Sequence, residues 1–193
     1  MPRLFTALEI PRPVALQLSM LRGGLPGARW IDVENYHVTL RFIGDIDGRT
    51  AVEIDHALSR VSRPPFQLRI GAIGALGGNK PHSLYAAVEG GRELHELQAE
   101  HERILQRIGL KADPKRFVPH VTLARLRAVR DSDIAAWLSL RGHFSSPAFV
   151  AERFVLYSSR ESVGGGPYVA EAVYPLARAG RDRFAEPGRQ AAL

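Results

Sequence analysis

One tetrapeptide, His-Val-Thr-Leu, occurs twice in this chain, at 37–40 and again at 120–123. Each copy lies in an apolar segment with the composition of a β-strand, over 36–43 and 117–126. Because successive side chains of a strand point to opposite faces, each copy places His and Thr on one face and Val and Leu on the other. The apolar face can anchor in a core while the polar face lines a groove.

Two such strands side by side would place His37, Thr39, His120 and Thr122 on the floor of one polar groove. Imidazole has a pKa near neutrality, so one His can hold a proton while the other accepts one. The Thr hydroxyls can donate hydrogen bonds to phosphate oxygens as negative charge builds up on them. The motif pair therefore indicates acid–base chemistry on a phosphoester.

Two further side chains follow the motifs at the same odd spacing from the motif His. Arg125 would add a guanidinium for phosphate, and Phe42 would add a ring that stacks on a base. In an ideal strand this spacing points both side chains away from the groove, so a bulge or a strand end is needed to turn them inward. Arg41 is the guanidinium nearest to the first motif.

A purely structural origin of the repeat is the alternative interpretation, since a duplication can echo a sequence without any chemistry in it. The other histidines lack such a context, and we predict them at the surface: His56, His82, His95, His101 and His143. Two motif His with no carboxylate nearby do not indicate a metal site. The glycine-rich segments 77–78 and 164–166 are predicted to be turns.

A motif strand followed by a helical pattern occurs in each half of the 193 residues. This order predicts an α+β fold made by internal duplication, with the two motif strands meeting between the lobes. We predict one bilobal domain over 1–176. Residues 177–193 lack apolar periodicity and are predicted to be a disordered tail.

The composition fits a nucleotide or nucleic-acid ligand but does not require one. The formal charge is +6, and Lys occurs only at positions 80, 111 and 115, so Arg carries most of it. An Arg-rich proteome would have the same effect. With no Cys, disulfides, thiolate nucleophiles and Cys-based zinc sites are excluded. Without an apolar run of about 18 residues or a secretory signal pattern, we predict a cytoplasmic protein that does not bind membranes.

The paired motifs and their surroundings resemble the two-histidine phosphoesterase superfamily. Within it, they are most similar to the bacterial and archaeal RNA 2′,3′-cyclic phosphodiesterases, which are also described as 2′-5′ RNA ligases. The resemblance extends from Arg3 to about Leu176. It is carried by RLFTA at 3–7, Trp30 with ENYHVTLRFIG at 34–44, FVPHVTLAR at 117–125 and FVLYSS at 154–159.

This resemblance implies a bilobal α+β fold with two pseudo-symmetric lobes, each of antiparallel sheet and helices, around a central groove. It implies hydrolysis of a terminal RNA 2′,3′-cyclic phosphate to a 2′-phosphate without metal or cofactor. The expected partners are RNA ends or nucleotides with that phosphate, and the expected state is a monomer. The implied site residues are His37 and His120 as the catalytic pair, Thr39, Thr122 and Arg125 as phosphate ligands, and Phe42 as the base-stacking ring.

The order of the two His roles is a further expectation. We expect His37 to protonate the O3′ leaving group and His120 to activate water, although the sequence cannot order the two. Three alternatives remain open. They are the reverse joining of RNA ends through a 2′-5′ linkage, hydrolysis of a small cyclic nucleotide or ADP-ribose cyclic phosphate, and a non-catalytic module that binds RNA ends or nucleotides.

Overall fold

Strands and helices follow one another in a similar order in the two halves of the chain. The computed structural model describes residues 3–159 and 167–177, so the predicted turn at 164–166 and nearly all of the predicted tail lie outside the described residues. The strands are β1 (Arg3–Glu9), β2 (Ala28–Trp30), β3 (His37–Asp45), β4 (Phe66–Leu76), β5 (Ser83–Glu89), β6 (His120–Leu126), β7 (Phe149–Ala151), β8 (Arg153–Ser159) and β9 (Tyr168–Pro175). The helices are α1 (Arg12–Ser19), α2 (Gly48–Leu58), α3 (Gly91–Arg107) and α4 (Asp131–Arg141), with a 3-10 turn at Val33–Asn35.

The nine strands within the described residues form an antiparallel sheet. Their order is β7-β4-β5-β6-β3-β1-β8-β9, and β2 pairs with β6. A single residue, Glu152, separates β7 from β8, and these two strands stand far apart in this order. One intervening residue can connect them only if the sheet curls until its two ends approach each other. None of the described helices is both long and apolar enough to cross a membrane.

The internal duplication is visible as the order strand, helix, motif strand, helix. It occurs first as β1-α1-β3-α2, with β2 inserted, and then as β5-α3-β6-α4. The two motif strands are neighbours and pair at Val38 and Val121, so the predicted meeting of β3 and β6 is confirmed. Both of these Val side chains are fully buried, as are the motif leucines. The apolar faces of the motifs therefore anchor the groove to the core.

The start of α2 is set by an N-cap residue three positions before Thr50. Asp47 is the cap, and its carboxylate accepts hydrogen bonds from the Thr50 backbone N–H at 2.9 Å and from the Thr50 hydroxyl at 2.8 Å. An Asp in this position satisfies an orphan amide and also favours the positive end of the helix dipole. The helix therefore begins at Gly48.

His101, predicted at the surface, is fully buried on α3, with 0% of its area exposed. Its Nδ1 lies 2.9 Å from the Thr6 hydroxyl, and its ring centroid lies 4.5 Å from that of Phe154. No described residue bonds its Nε2. Helical spacing explains the burial, because His101 lies on the same apolar face as Leu94, Leu97 and Leu105.

We expect His101→Gln to make the protein more resistant to acid unfolding. Burial, aided by the charge of Arg63, lowers the pKa of His101 to about 3 in the folded state. As the pH falls from about 6.5 towards 3, only the unfolded chain gains this proton, which costs the folded state up to about 1.4 kcal/mol per pH unit. Urea unfolding at several pH values measures that slope, and Gln should reduce it.

The matched control for this measurement is His95→Gln, which changes an exposed histidine on the same helix. We expect this control to keep the slope of the parent protein. If His101→Gln also kept the parent slope, the buried imidazole would not be a source of acid sensitivity. His37, whose pKa is also lowered, would then have to account for it.

Candidate active site

The polar side chains of the two motifs lie together on one face of β3 and β6. His37, His120 and the two motif Thr are half-buried, while the residues between them are fully buried on the other face. Because Val38 pairs with Val121 in antiparallel register, each His lies across from the Thr of the other strand. The structure thus brings together the four residues that the sequence predicted for the groove floor.

Both imidazoles form the same hydrogen bond, from Nδ1 to the backbone carbonyl two residues earlier. His37 Nδ1 lies 2.8 Å from the Asn35 carbonyl oxygen, and His120 Nδ1 lies 2.7 Å from the Val118 carbonyl oxygen. A carbonyl oxygen can only accept, so Nδ1 carries the proton in each ring and donates it. In the neutral imidazole, Nε2 is then the basic atom. The two Nε2 atoms are therefore the ones available for proton transfer.

A bulge in β3 turns Phe42 to the groove face. Against β1, Thr39 pairs with Ala7 and Arg41 pairs with Thr6, which leaves Leu40 as an extra residue. Leu40 and Arg41 are consecutively buried, and the alternation is reversed after them. Phe42 is consequently 48% exposed on the same face as the motif His.

An equivalent bulge in β6 turns Arg125 to the same face. Against β5, Thr122 pairs with Tyr85 and Ala124 pairs with Leu84, so Leu123 is the extra residue. Leu123 and Ala124 are both buried, and Arg125 after them is exposed. The same irregularity in both strands therefore turns Phe42 and Arg125 to the groove face, which their odd spacing from the motif His would not allow in an ideal strand.

Arg41, the guanidinium nearest to the first motif, does not reach the groove. It is 7% exposed and forms an ion pair with Glu102 on α3. Its other nitrogens donate to the Phe42 carbonyl and, at 2.6 Å, to the Lys111 carbonyl. Arg41 therefore ties the bulge of β3 to the helix and to the loop before β6.

Aromatic rings cover the His37 side of the groove. The His37 ring centroid lies 5.0 Å from Phe5, 5.2 Å from Tyr168 and 6.3 Å from Tyr157. These rings come from β1, β9 and β8, which are adjacent in the sheet. These rings keep water away from one side of the His37 imidazole.

Burial is the main reason that the pKa of His37 is lowered to about 4. Its bond to the Asn35 carbonyl opposes this shift, while the positive charges of His120 and Arg125 add to it. In the free protein His37 is therefore neutral at neutral pH.

Sequence reasoning assigned no role to the rings around the two His. Tyr85 on β5 lies edge-on to His120 with centroids 5.8 Å apart, as Tyr168 does to His37. The alternation within each strand shows which face a Tyr occupies, but it does not show which strands are neighbours. The order of the strands in the sheet was the missing information.

The groove is built for an anion, since it combines two imidazoles, two hydroxyls and the Arg125 guanidinium. Within residues 3–159 and 167–177, no group of three or more His, Asp or Glu is placed to hold a metal ion. A duplicated α+β fold in which two His-x-Thr strands meet in one groove defines the two-histidine phosphoesterases. The family described as LigT like Phosphoesterase matches residues 8–85 and again residues 86–168, once in each half, and this chain belongs to that family.

Individual relatives agree with this assignment. The RNA 2′,3′-cyclic phosphodiesterase of Aeropyrum pernix is 34% identical over 124 residues, which are 63% of this chain and 70% of that protein. The protein of the same name from Thermotoga maritima is 30% identical over 176 residues, 86% of this chain and 91% of that protein.

Solved structures share the fold at lower identity. E. coli LigT complexed with 3′-AMP has a TM-score of 0.73 and 22% identity, covering 92% of this chain and 100% of that chain. TT0787 of Thermus thermophilus has a TM-score of 0.75 and 21% identity, covering 92% of this chain and 99% of that chain. The predicted bilobal α+β fold is confirmed.

Proposed function

We propose that this chain hydrolyses the 2′,3′-cyclic phosphate at the 3′ end of RNA to a 2′-phosphate, without a metal ion. His37 and His120 serve as the general acid and base. The observation that carries the proposal is the pairing of two imidazoles on neighbouring strands, each with Nδ1 donating to a carbonyl and Nε2 left for proton transfer. The relatives named RNA 2′,3′-cyclic phosphodiesterase support the choice of substrate.

The reaction needs one proton taken and one proton given. One Nε2 accepts a proton from water as the water oxygen attacks phosphorus. The bond between phosphorus and O3′ breaks, and the other Nε2 gives its proton to O3′. The two rings finish with their protonation states exchanged, and proton exchange with solvent restores them.

Hydroxyl and guanidinium groups stabilise the charge that develops on the phosphate. In the free protein the Thr39 hydroxyl donates to His37 Nε2 at 3.0 Å. Turning this hydroxyl to a phosphate oxygen frees that nitrogen for the reaction. Thr122 and Arg125, on the other strand, donate to the remaining oxygens. The exposed ring of Phe42 stacks on the terminal base.

The expectation that His37 is the acid stays a prediction, and the structure sets a condition on it. With a pKa of about 4, His37 is neutral in the empty groove at neutral pH, with its one ring proton on Nδ1. A bound phosphodiester anion raises this pKa because a negative charge beside the imidazole favours its protonated form. If that rise is too small to protonate His37, the two rings exchange roles and His37 activates the water.

The test is incubation of an RNA oligonucleotide that ends in a 2′,3′-cyclic phosphate, in the presence of EDTA. We expect complete ring opening, with phosphorus NMR showing a 2′-phosphate monoester. The reference sample is the same reaction with added divalent ions, which should have the same rate.

Several outcomes would contradict the proposal. Activity that disappears in EDTA and returns with a divalent ion would contradict the metal-independent mechanism. A 3′-phosphate product would assign the leaving group to O2′ instead. Tight binding of the cyclic end without turnover would indicate the non-catalytic module, and joining of added RNA ends would indicate the ligation reaction.

A further inference from the structure

Three arginines continue the groove beyond the motif of β6. Arg29 on β2 is the direct cross-strand partner of Arg125 on β6. The ladder extends one step further, because the Arg127 backbone N–H donates to the Gly27 carbonyl at 3.0 Å. Gly27 permits this approach, since its φ is +83° and a Cβ there would lie 2.6 Å from the Arg127 carbonyl oxygen. We refer to Arg29, Arg125 and Arg127 as the arginine row.

The arginine row lies on the same face of the sheet as the motif His. The residues that alternate with it in β6, Ala124 and Leu126, are buried in the core. All three arginines of the row are exposed, as strand alternation requires. Arg125 leaves β6 on the groove face directly after the bulge that follows Thr122, so this end of the row lies beside the groove.

Like charges directly opposite each other on neighbouring strands destabilise a sheet. Some other exposed arginines have an acidic partner, such as Arg130 with Asp133 at 2.9 Å, whereas Arg12 and Arg103 are exposed without one over residues 3–159 and 167–177. What distinguishes the row is that two of its guanidinium groups leave directly paired positions, 29 and 125, of neighbouring strands. Among the described residues, no member of the row has an acidic group within 4 Å. Within the described part of the chain, no ion pair therefore offsets the repulsion between the paired arginines, and a polyanionic ligand would offset it.

We propose that the arginine row binds the RNA backbone phosphates that lie 5′ to the terminal nucleotide. This inference rests on the proposed function and names the preferred substrate as an oligonucleotide instead of a mononucleotide. Alternate residues of a strand are about 7 Å apart, which is comparable to the distance between successive phosphates of an extended single strand. Arg125 and Arg127 are alternate residues at the end of β6, where the hydrogen bond from Arg127 to Gly27 continues the ladder, and Arg29 adds a third guanidinium on the neighbouring strand.

The two ends of the groove differ in a way that sets the direction of the RNA. Because β3 and β6 are antiparallel, Phe42 lies at the end of the groove where β6 begins, and the arginine row lies where β6 ends. The Phe42 end also has the half-exposed side chain of Val118. The terminal base therefore lies towards Phe42, and the rest of the RNA leaves over the row.

The experiment compares two substrates in the Arg29→Ala/Arg127→Ala protein. One is a 2′,3′-cyclic mononucleotide, which has no upstream phosphate, and the other is a hexanucleotide with the same cyclic end. We expect the double change to lower the ratio of kcat/KM for hexanucleotide over mononucleotide about tenfold. For the hexanucleotide, the slope of log kcat/KM against log salt concentration should become less negative by about one to two.

The matched control is Arg49→Ala/Arg92→Ala, which removes the same charge from two exposed arginines on α2 and α3. An unchanged substrate ratio in the Arg29/Arg127 variant, or an equal fall in the control, would overturn the inference. Failure of the parent protein to hydrolyse either substrate would instead contradict the proposed function. In that case fluorescence anisotropy measures the affinity of both proteins for a labelled single-stranded RNA. A loss of affinity of about tenfold in the Arg29/Arg127 variant supports the inference, and an affinity equal to that of the parent overturns it.

Discussion

Replacing His37 or His120 by alanine is expected to lower kcat for ring opening by about 10³-fold, within the range of about 10²–10⁴ that a general acid or base contributes. Each change removes one of the two Nε2 atoms presented on the groove face. The double variant should be little slower than the slower single variant, because both groups act in the same step. Product formation under single-turnover conditions measures these rates directly.

The control for this prediction separates chemistry from packing. His37 packs against Phe5, so alanine also leaves a gap beside that ring. His37→Gln fills more of this space, and it should be as inactive as the alanine variant while unfolding nearer to the temperature of the parent. His95→Ala, on the exposed surface of α3, should retain the parent rate. A single motif variant within tenfold of the parent would contradict the two-His mechanism.

The groove floor could be predicted from the sequence because strand periodicity is a local property. His37 and Thr39 must share a face, and the apolar residues between and after them must share the other. Repetition of the tetrapeptide then indicated two equivalent strands. The predicted meeting of these two strands is confirmed, and the structure adds its register, in which Val38 pairs with Val121.

The positions of Phe42 and Arg125 could not be predicted from periodicity alone. Each requires a bulge, and a bulge depends on how the motif strand pairs with its neighbour, β1 in one case and β5 in the other. The sequence contained one usable signal, since both residues stand at the same offset from the motif His. That correspondence favours one shared irregularity over two unrelated ones.

His101 shows a different limit of the sequence interpretation. Its place on the apolar face of α3 could be read from its spacing to Leu97 and Leu105. The prediction of a surface position followed from the absence of a metal-binding pattern, which has no bearing on burial. The rings around His37 are a separate case, because the order of strands in a curled sheet is not a local property of any segment.

Arg41→Met is expected to destabilise the fold by about 3 kcal/mol, which corresponds to a fall in Tm of roughly 6–12 °C for a chain of this size. Arg41 is nearly buried and pairs with Glu102 while donating to the Lys111 carbonyl. Methionine occupies similar space but leaves the Glu102 carboxylate without its guanidinium. Breaking such a pair costs more than the pair itself contributes, because a partly buried charge remains. Urea unfolding at pH 7 measures the change.

A double-mutant cycle with Glu102→Gln identifies the cause of the loss. If the residual charge is responsible, Arg41→Met/Glu102→Gln will be more stable than Arg41→Met alone. The matched control is Arg49→Met, which breaks the exposed pair with Glu53 on α2 and should cost less than about 1 kcal/mol. An Arg41→Met protein as stable as its parent but inactive would contradict this assignment, since Arg41 would then act in the groove. We expect the variant to lose stability but to keep its activity at low temperature. The reason is that Arg41 lies on the core face of β3, opposite to the groove face that Phe42 occupies.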